Sequence, residues 1–257
     1  MARKNWEAFL SKIQSPQACA SRKFSKPYIL SFEVDSQGLM LFGCEHSKNE
    51  KAPQFREIEI LLKKFVQIHG REHVMLFLEN LLPPVEGSKK QMINRYGETG
   101  LIAYLGRHLD IDMTCPEPSP RQILSYVKKQ KGIRKDDVEL WIRLNGLSSK
   151  LSRTELAKEQ GPLIERIRRA QDPFLKGTTL NDVGSLINLA RDRYLCEAML
   201  KRLDEGKCVF GVYGANHVIA MEDALRMFLE KKRTSTKRQK SPGSRPSRRH
   251  TGGVVTP

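Results

Sequence analysis

The sequence predicts an α/β protein with a central mixed, partly parallel sheet flanked by helices. Short apolar runs typical of strands alternate with longer stretches of helical spacing, and this alternation favours parallel strands joined by helical crossovers. The run Val74–Leu78 is apolar at every position, as expected of a strand covered on both faces. A chain of 257 residues can bury a sizeable core, and we expect one α/β domain over residues 1–230.

The elements of the first half are predicted from apolar spacing and turn residues. Four apolar side chains between residues 6 and 13 share one face of a short helix. A polar turn over residues 35–38 separates two apolar runs and predicts a hairpin. In order, the predictions are that short helix, a loop over Ser15–Pro27, hairpin strands Tyr28–Val34 and Leu39–Phe42, a helix over Ile58–Ile68 that Gly70 ends, and the strand Val74–Leu78.

The second half continues the alternation and adds a polar helical segment. Residues 120–170 have a helical pattern but are rich in polar side chains, so we expect a helical insertion that forms a lid or subdomain. The other predictions are a helix from Gly97 to about Leu109, a strand over Ile111–Thr114, a long helix over Leu186–Leu203 that Gly206 ends, a strand over Cys208–Tyr213 and a helix over Ala220–Lys231.

The segment Lys231–Pro257 carries nine Lys or Arg residues and no acidic residue, within a formal net charge of +16 for the whole chain. It is rich in Ser, Thr, Pro and Gly and has no apolar period, so we expect a disordered basic tail. Such a tail can bind nucleic acid or an acidic surface without sequence specificity. It contains no aromatic residue, which argues against base stacking, and an export or targeting role stays open.

Cysteine usage and hydropathy indicate the compartment. The five cysteines form no Cys-x-x-Cys pair, which argues against a zinc ribbon or a disulfide scaffold and favours a reducing compartment. No apolar run approaches the roughly 18 residues of a membrane helix, and no long apolar stretch follows the basic N-terminus. We therefore expect a cytoplasmic location.

Two predicted strands end in the same motif, Gly-x-x-His, at Gly43–His46 and Gly214–His217. Glycine lets the chain turn sharply at a strand end, and the histidine can then act as base, acid or metal ligand. The carboxyl ends of parallel strands share one rim where ligands bind, so we expect both histidines in one site. The alternative for each is a surface or capping histidine. A third copy, Gly70–His73, precedes its strand and is expected at the opposite rim.

Carboxylates accompany these histidines in the sequence. Glu79 directly follows an apolar strand, Glu98 opens a predicted helix, and Glu117 stands between two prolines after another strand. Each is a candidate site carboxylate, although capping of a turn or a helix terminus is a simpler role. Cys44 lies beside His46 and raises the alternative of a thiol nucleophile.

The order of these motifs resembles the TraB/Tiki family, which belongs to a superfamily with erythromycin-esterase-like and ChaN-like proteins. The resemblance covers about Leu39–Leu229. It rests on both Gly-x-x-His motifs, the strand that ends in Glu79, the segment Gly97–Gly100, and Arg191-Asp192 followed by Val212–Val218. From the residues alone, Arg191-Asp192-Arg193 is equally a solvated helix face. The chain lacks the membrane segments of many TraB relatives and adds a basic tail.

The resemblance implies a hydrolase for peptide or ester substrates. It makes His46 and His217 the paired site histidines. It makes Glu79 and Glu98 the site carboxylates and Arg191 an anion or transition-state stabiliser.

Water activation is the predicted chemistry. In this hypothesis His46, oriented by Glu45 or Glu79, removes a proton from water. Arg191 and His217 then stabilise the developing negative charge or the leaving group.

A divalent metal at this site would be Mn, Co or Zn, with His46, Glu79 and His217 as its ligands. The alternative function is a non-catalytic module of the same fold that binds a small ligand or haem, which the likeness to ChaN-like proteins implies.

Overall fold

The computed structural model describes residues 6–80, 82–130, 132–133, 138, 141 and 179–240. Its strands are β1 (Tyr28–Val34), β2 (Gln37–Cys44), β3 (Val74–Leu78), β4 (Asp112–Thr114) and β5 (Cys208–Gly214). They form one sheet in the order β1-β2-β5-β3-β4. β1 runs antiparallel to β2, and the remaining neighbours pair in parallel. This mixed, partly parallel sheet confirms the predicted fold class.

Helices cover both faces of the sheet. They are α1 (Glu7–Leu10), α2 (Pro16–Ala20), α3 (Pro53–His69), α4 (Lys89–Leu109), α5 (Pro120–Val127), α6 (Thr179–Asp204) and α7 (Ala215–Lys240), with a 3-10 turn at Arg71–His73. Side chains of α1, α6 and α7 form one buried layer against the sheet. Side chains of α3 and α4 form the other layer.

The central strand β5 shows why its sequence is apolar throughout. Val209 and Tyr213 lie in the layer of α6 and α7, whereas Phe210 and Val212 lie in the layer of α3 and α4. Side chains of a strand alternate between the two faces of the sheet, and here both faces are covered. Each such burial contributes roughly 1.5–3 kcal/mol to folding.

The helix α4 begins at Lys89, whereas the sequence predicts a start at Gly97. Ser88 and Gln91 form a capping box, in which the Gln91 N–H donates to Ser88 Oγ at 3.3 Å and the Ser88 N–H donates to Gln91 Oε1 at 2.8 Å. Gly97 interrupts the helix with a φ of 62° and a ψ of −135°, a conformation that glycine adopts readily. Gly97, which the sequence predicts as the start of this helix, therefore lies at a kink inside it.

Other boundaries also differ from the predictions, most clearly at α2 and at the last helix. The short helix α2 lies inside the segment predicted as a loop, and a proline at its first position suits a helix start. The last helix, α7, begins directly after β5 and takes in residues 231–240 of the segment predicted as a tail. Lys232 helps to fix this part, because its Nζ donates to Gln37 Oε1 at 2.6 Å. Residues 241–257 lie outside the described residues.

The start of the predicted insertion packs against the first half of α6. Val127, Val138, Val183 and Ile187 form a small buried cluster there. Of residues 120–170, the structure describes 120–130, 132–133, 138 and 141, and the others lie outside the described residues. Within the part of the chain that the structure describes, no helix has both the length and the apolar character that a membrane crossing requires.

The two-layer core predicts different effects for two isoleucines of α3. Ile58 is fully buried, whereas Ile68 is 60% exposed. We expect Ile58→Ala to lower the free energy of unfolding by about 2–5 kcal/mol, because it removes buried methyl groups and leaves a cavity. Ile68→Ala should change it by about 0.5 kcal/mol or less. Urea denaturation of the matched pair measures both values, and equal losses would contradict the packing.

Candidate functional site

The carboxyl ends of β2, β3 and β5 lie side by side at one rim of the sheet. Cys44, the last residue of β2, pairs with Gly214, the last residue of β5, and β3 ends on the other side of β5. His46 follows β2, Glu79 follows β3 and His217 lies in the first turn of α7. Because these strands run parallel, the three residues all lie at the same rim of the sheet.

Gly214 lies between the two histidines. A Cβ atom added to it would stand 3.0 Å from Nε2 of His46 and 3.7 Å from Cδ2 of His217, so both rings approach one point of the backbone. Gly43 allows a different close approach. A Cβ atom there would lie 2.9 Å from the Cα atom of Ala215, so the glycine lets β2 end against the start of α7.

Glu79 is the carboxylate that both histidines face, and it is only 5% exposed. Its Oε2 accepts a hydrogen bond from the Gly214 N–H at 2.7 Å and lies 3.7 Å from Nε2 of His46. Its Oε1 lies 3.6 Å from Nε2 of His217 and 3.6 Å from Nη2 of Arg191. A buried charge is stable only when it has such partners.

Glu98 contacts the other nitrogen of His46. Its Oε2 lies 3.5 Å from Nδ1 of His46, and its Oε1 accepts from the Ser47 N–H at 2.8 Å and from Gln54 Nε2 at 2.5 Å. The kink at Gly97 permits this arrangement, since a Cβ atom there would lie 2.7 Å from the Ser47 carbonyl oxygen. The hydrogen bond to Glu98 raises the pKa of His46 above its ordinary value, although partial burial acts against the charged ring.

Asp192 fixes the ring of His217. Its Oδ1 lies 2.5 Å from Nδ1 of His217, and Asp192 as a residue is 3% exposed. Burial acts to lower the pKa of His217, but the hydrogen bond and the charge of Asp192 outweigh it and raise that pKa. Burial raises the pKa of Asp192, and His217 counters part of this effect. Both shifts favour retention of a proton within the pair.

Arg191 is held by Glu117 through a bidentate pair. Its Nε donates to Oε2 at 3.0 Å and its Nη2 donates to Oε1 at 2.8 Å. Asn80, which adopts a φ of 70°, joins them because its N–H donates to Glu117 Oε1 at 3.2 Å. Burial acts to raise the pKa of Glu117, but Arg191 holds it below its ordinary value. Arg191 therefore presents a fixed positive charge beside Glu79.

Glu45, which the sequence suggested as a partner of His46, lies outside this cluster. Its side chain is 73% exposed and its Oε1 lies 3.7 Å from Nζ of Lys26. Neighbouring residues of an extended segment direct their side chains to opposite sides. The carboxylate that contacts His46 Nδ1 is instead that of Glu98.

His73 lies at the opposite rim, in the 3-10 turn before β3. It lines a surface cavity of about 430 Å³ together with His69 and Cys208. The third Gly-x-x-His motif is therefore apart from the other two. His73 provides a control for experiments on His46 and His217.

Three residues of the site received no role from the sequence. Asp192 belongs to the Arg-Asp pair noted in the sequence. The pair alone does not show whether Asp192 faces the core or the solvent side of its helix. Gln54 contacts Glu98 across 44 positions, and Asn80 contacts Glu117 across 37 positions. The first contact depends on how two helices approach each other and the second on how two loops do, and the sequence carries no periodic signal for either.

Two sets of residues at this rim offer ligands for a divalent ion. In the predicted set, His46 and His217 face different oxygens of Glu79, and one of those oxygens already accepts a backbone hydrogen bond. Among the described residues, the group whose ligand atoms all lie within 4.8 Å of one another is Cys44, His46 and Glu98. The compact group shares only His46 with the predicted one.

The Cys44 thiol lies in a buried position that does not favour a free nucleophile. Its Sγ donates to the Tyr213 carbonyl oxygen at 3.3 Å, and the residue is 3% exposed. Burial raises the pKa of the Cys44 thiol well above its ordinary value, whereas a nucleophilic cysteine needs a lowered one.

Comparison with models of known protein families gives no match for the chain. Searches of curated proteins and of solved structures also give none. The likeness to the TraB/Tiki family therefore rests on the motifs and their order.

The Asp192–His217 contact predicts a measurable shift. Asp192→Asn should lower the pKa of His217, because it removes the charge that favours the imidazolium. An NMR titration of the histidine ring protons measures this pKa. Asp182→Asn, at an exposed position on the same helix, is the control and should leave it unchanged.

The same contact has a consequence for stability. Because the folded pKa of His217 is raised, the pair stabilises the fold fully below the unfolded pKa of about 6.5. That contribution is lost as pH rises through the folded pKa. Asp192→Asn should therefore reduce the fall in unfolding free energy between pH 6 and pH 9, and an unchanged fall would contradict the pairing.

Proposed function

We propose that the protein is a hydrolase that activates water at this rim and acts on a peptide or ester substrate. The observation that carries the proposal is a row in which carboxylates and imidazoles alternate, with each neighbouring pair within 3.7 Å. Along the row stand Glu98, His46, Glu79, His217 and Asp192. In such a row, one group can take a proton while its neighbours compensate the change in charge.

His217 is the better-placed general base. Asp192 contacts Nδ1 and Nε2 faces Glu79, so a neutral ring with its proton on Nδ1 has a free Nε2 toward the rim. This is the logic of a base that a buried carboxylate orients. From Nε2, the ring takes a proton from water and returns it to the leaving group.

His46 and Arg191 supply positive charge beside that base. The His46 side chain is 60% exposed, so it can meet an entering substrate. Protonated His46 and the guanidinium of Arg191 stabilise the negative charge that develops on an attacked carbonyl group. The sequence suggested the reverse assignment, with His46 as the general base and His217 as a charge stabiliser. The buried Asp192–His217 pair favours His217 as the base. If a divalent ion is bound by His46, that ring is neutral, and the ion would itself supply the positive charge as a Lewis acid, together with a more acidic water.

Substitution of the histidines tests the proposal. We expect His217→Ala to lower kcat/KM by about 10²–10⁴-fold, the usual contribution of a general base. His46→Ala should also lower it. His73→Ala, at the opposite rim, should stay within about twofold of the parent, since most substitutions away from a site have small effects. A panel of chromogenic esters and fluorogenic peptides measures the rates.

Two outcomes would contradict this function. One is full turnover in the His217→Ala variant. The other is no turnover on the whole panel together with a Soret band on haem addition, which would favour the non-catalytic ligand-binding alternative.

The pH dependence of the reaction follows from the role of His217. A general base works in its neutral form, so kcat/KM should rise with pH through the raised pKa of His217. Asp192→Asn should move this rising limb to lower pH and reduce the plateau rate. If the pH of this rising limb does not change in Asp192→Asn, another group is the base.

A further inference from the structure

We propose that Cys44 Sγ, His46 Nδ1 and Glu98 Oε2 bind a zinc-type divalent ion at the end of β2. The inference rests on the proposed function only for the catalytic use of the ion, because binding itself is measurable without a substrate. It replaces the ligand set expected from the sequence, in which His46, Glu79 and His217 would share the ion.

The distances between the donor atoms fit a tetrahedral site. Sγ of Cys44 lies 3.8 Å from Nδ1 of His46, and that nitrogen lies 3.5 Å from Oε2 of Glu98. All three donor atoms lie within 4.8 Å of one another. Around a tetrahedral Zn²⁺ with ordinary bond lengths, sulfur and nitrogen stand ~3.6 Å apart, and nitrogen and oxygen ~3.3 Å apart. The Sγ–Nδ1 and Nδ1–Oε2 distances each exceed these values by ~0.2 Å.

Backbone structure holds the three residues together. Cys44 is the last residue of β2, and His46 follows two positions later, the spacing at which extended residues point to the same side. Glu98 comes from α4 directly after the kink at Gly97, which packs against the carbonyl oxygen of Ser47. The backbone alone therefore brings the three residues together.

Neighbouring groups orient two of the three ligands. Ser47 N–H and Gln54 Nε2 both donate to Oε1 of Glu98, which leaves Oε2 toward His46. Glu79 Oε2 lies 3.7 Å from Nε2 of His46, the nitrogen that does not face the proposed ion. A carboxylate behind a ligating histidine fixes the ring and raises its basicity.

Charge and accessibility suit a divalent ion with one open position. On binding, the Cys44 thiol releases its proton to solvent, so one thiolate and the Glu98 carboxylate neutralise two positive charges. His46 is largely exposed, so a water molecule can complete the coordination. Thiolate with imidazole favours Zn²⁺ or Co²⁺ over Mg²⁺ and Ca²⁺.

Cobalt spectroscopy and metal analysis test the site directly. We expect the full chain to bind one Zn²⁺ by elemental analysis, and its Co²⁺ form to show a thiolate-to-cobalt charge-transfer band in the near ultraviolet. Cys44→Ala should abolish the band, and Glu98→Gln and His46→Ala should each weaken binding at least tenfold. Cys208→Ala is the matched control, because Cys208 is also buried but at the opposite end of the sheet, and it should keep the band.

The variant His217→Ala distinguishes this ligand set from the one expected from the sequence, which includes His217. It should bind Zn²⁺ within about threefold of the parent chain. Equal loss of metal in His217→Ala and Cys44→Ala, a band that survives Cys44→Ala, or no uptake by the parent chain would overturn the inference. If Cys44→Ala does not fold by circular dichroism, the band and affinity of Glu98→Gln decide.

The ester and peptide panel then distinguishes two failures. Metal binding without turnover removes the hydrolase but leaves the site. Turnover that persists in a metal-free Cys44→Ala protein leaves the hydrolase and removes any catalytic role of the ion.

Discussion

A carboxylate at the end of a strand that is buried on both faces keeps its charge only if other groups compensate it. Glu79 meets this condition through the Gly214 N–H, the guanidinium of Arg191 and the two imidazoles. The rest of the rim depends on this constraint, because each partner must reach a carboxylate that cannot turn to solvent. The position of Glu79 thereby fixes where both histidines can lie.

Glu79 also joins two halves of the site that belong to different layers of the fold. His46 and Glu98 stand on the side of α3 and α4, while His217 and Asp192 stand on α7 and α6. Each half pairs one imidazole with one buried carboxylate. The halves meet at the rim because β5 lies between β2 and β3 in the sheet. Neither layer alone would bring the two imidazoles to a common neighbour.

The sequence predicts the strands and the common rim better than it predicts the partners within the rim. An apolar run followed by Gly-x-x-His is a local signal, and parallel pairing converts it into proximity. The contact between Asp192 and His217 is not local, because it depends on which face of α6 packs inward. The sequence proposed Glu45 or Glu79 as the carboxylate that orients His46, and it did not pair Glu98 with that ring. The kink at Gly97 brings Glu98 to His46. A glycine at a helix start cannot be distinguished in sequence from a glycine at a kink inside a helix.

The most direct test of a shared site is an NMR titration of His46 and His217 in the variant Glu79→Gln. The negative charge of Glu79 raises the pKa of both rings, so its removal should lower both values while the fold remains intact. A shift confined to one of the two site histidines would contradict the claim that Glu79 couples them.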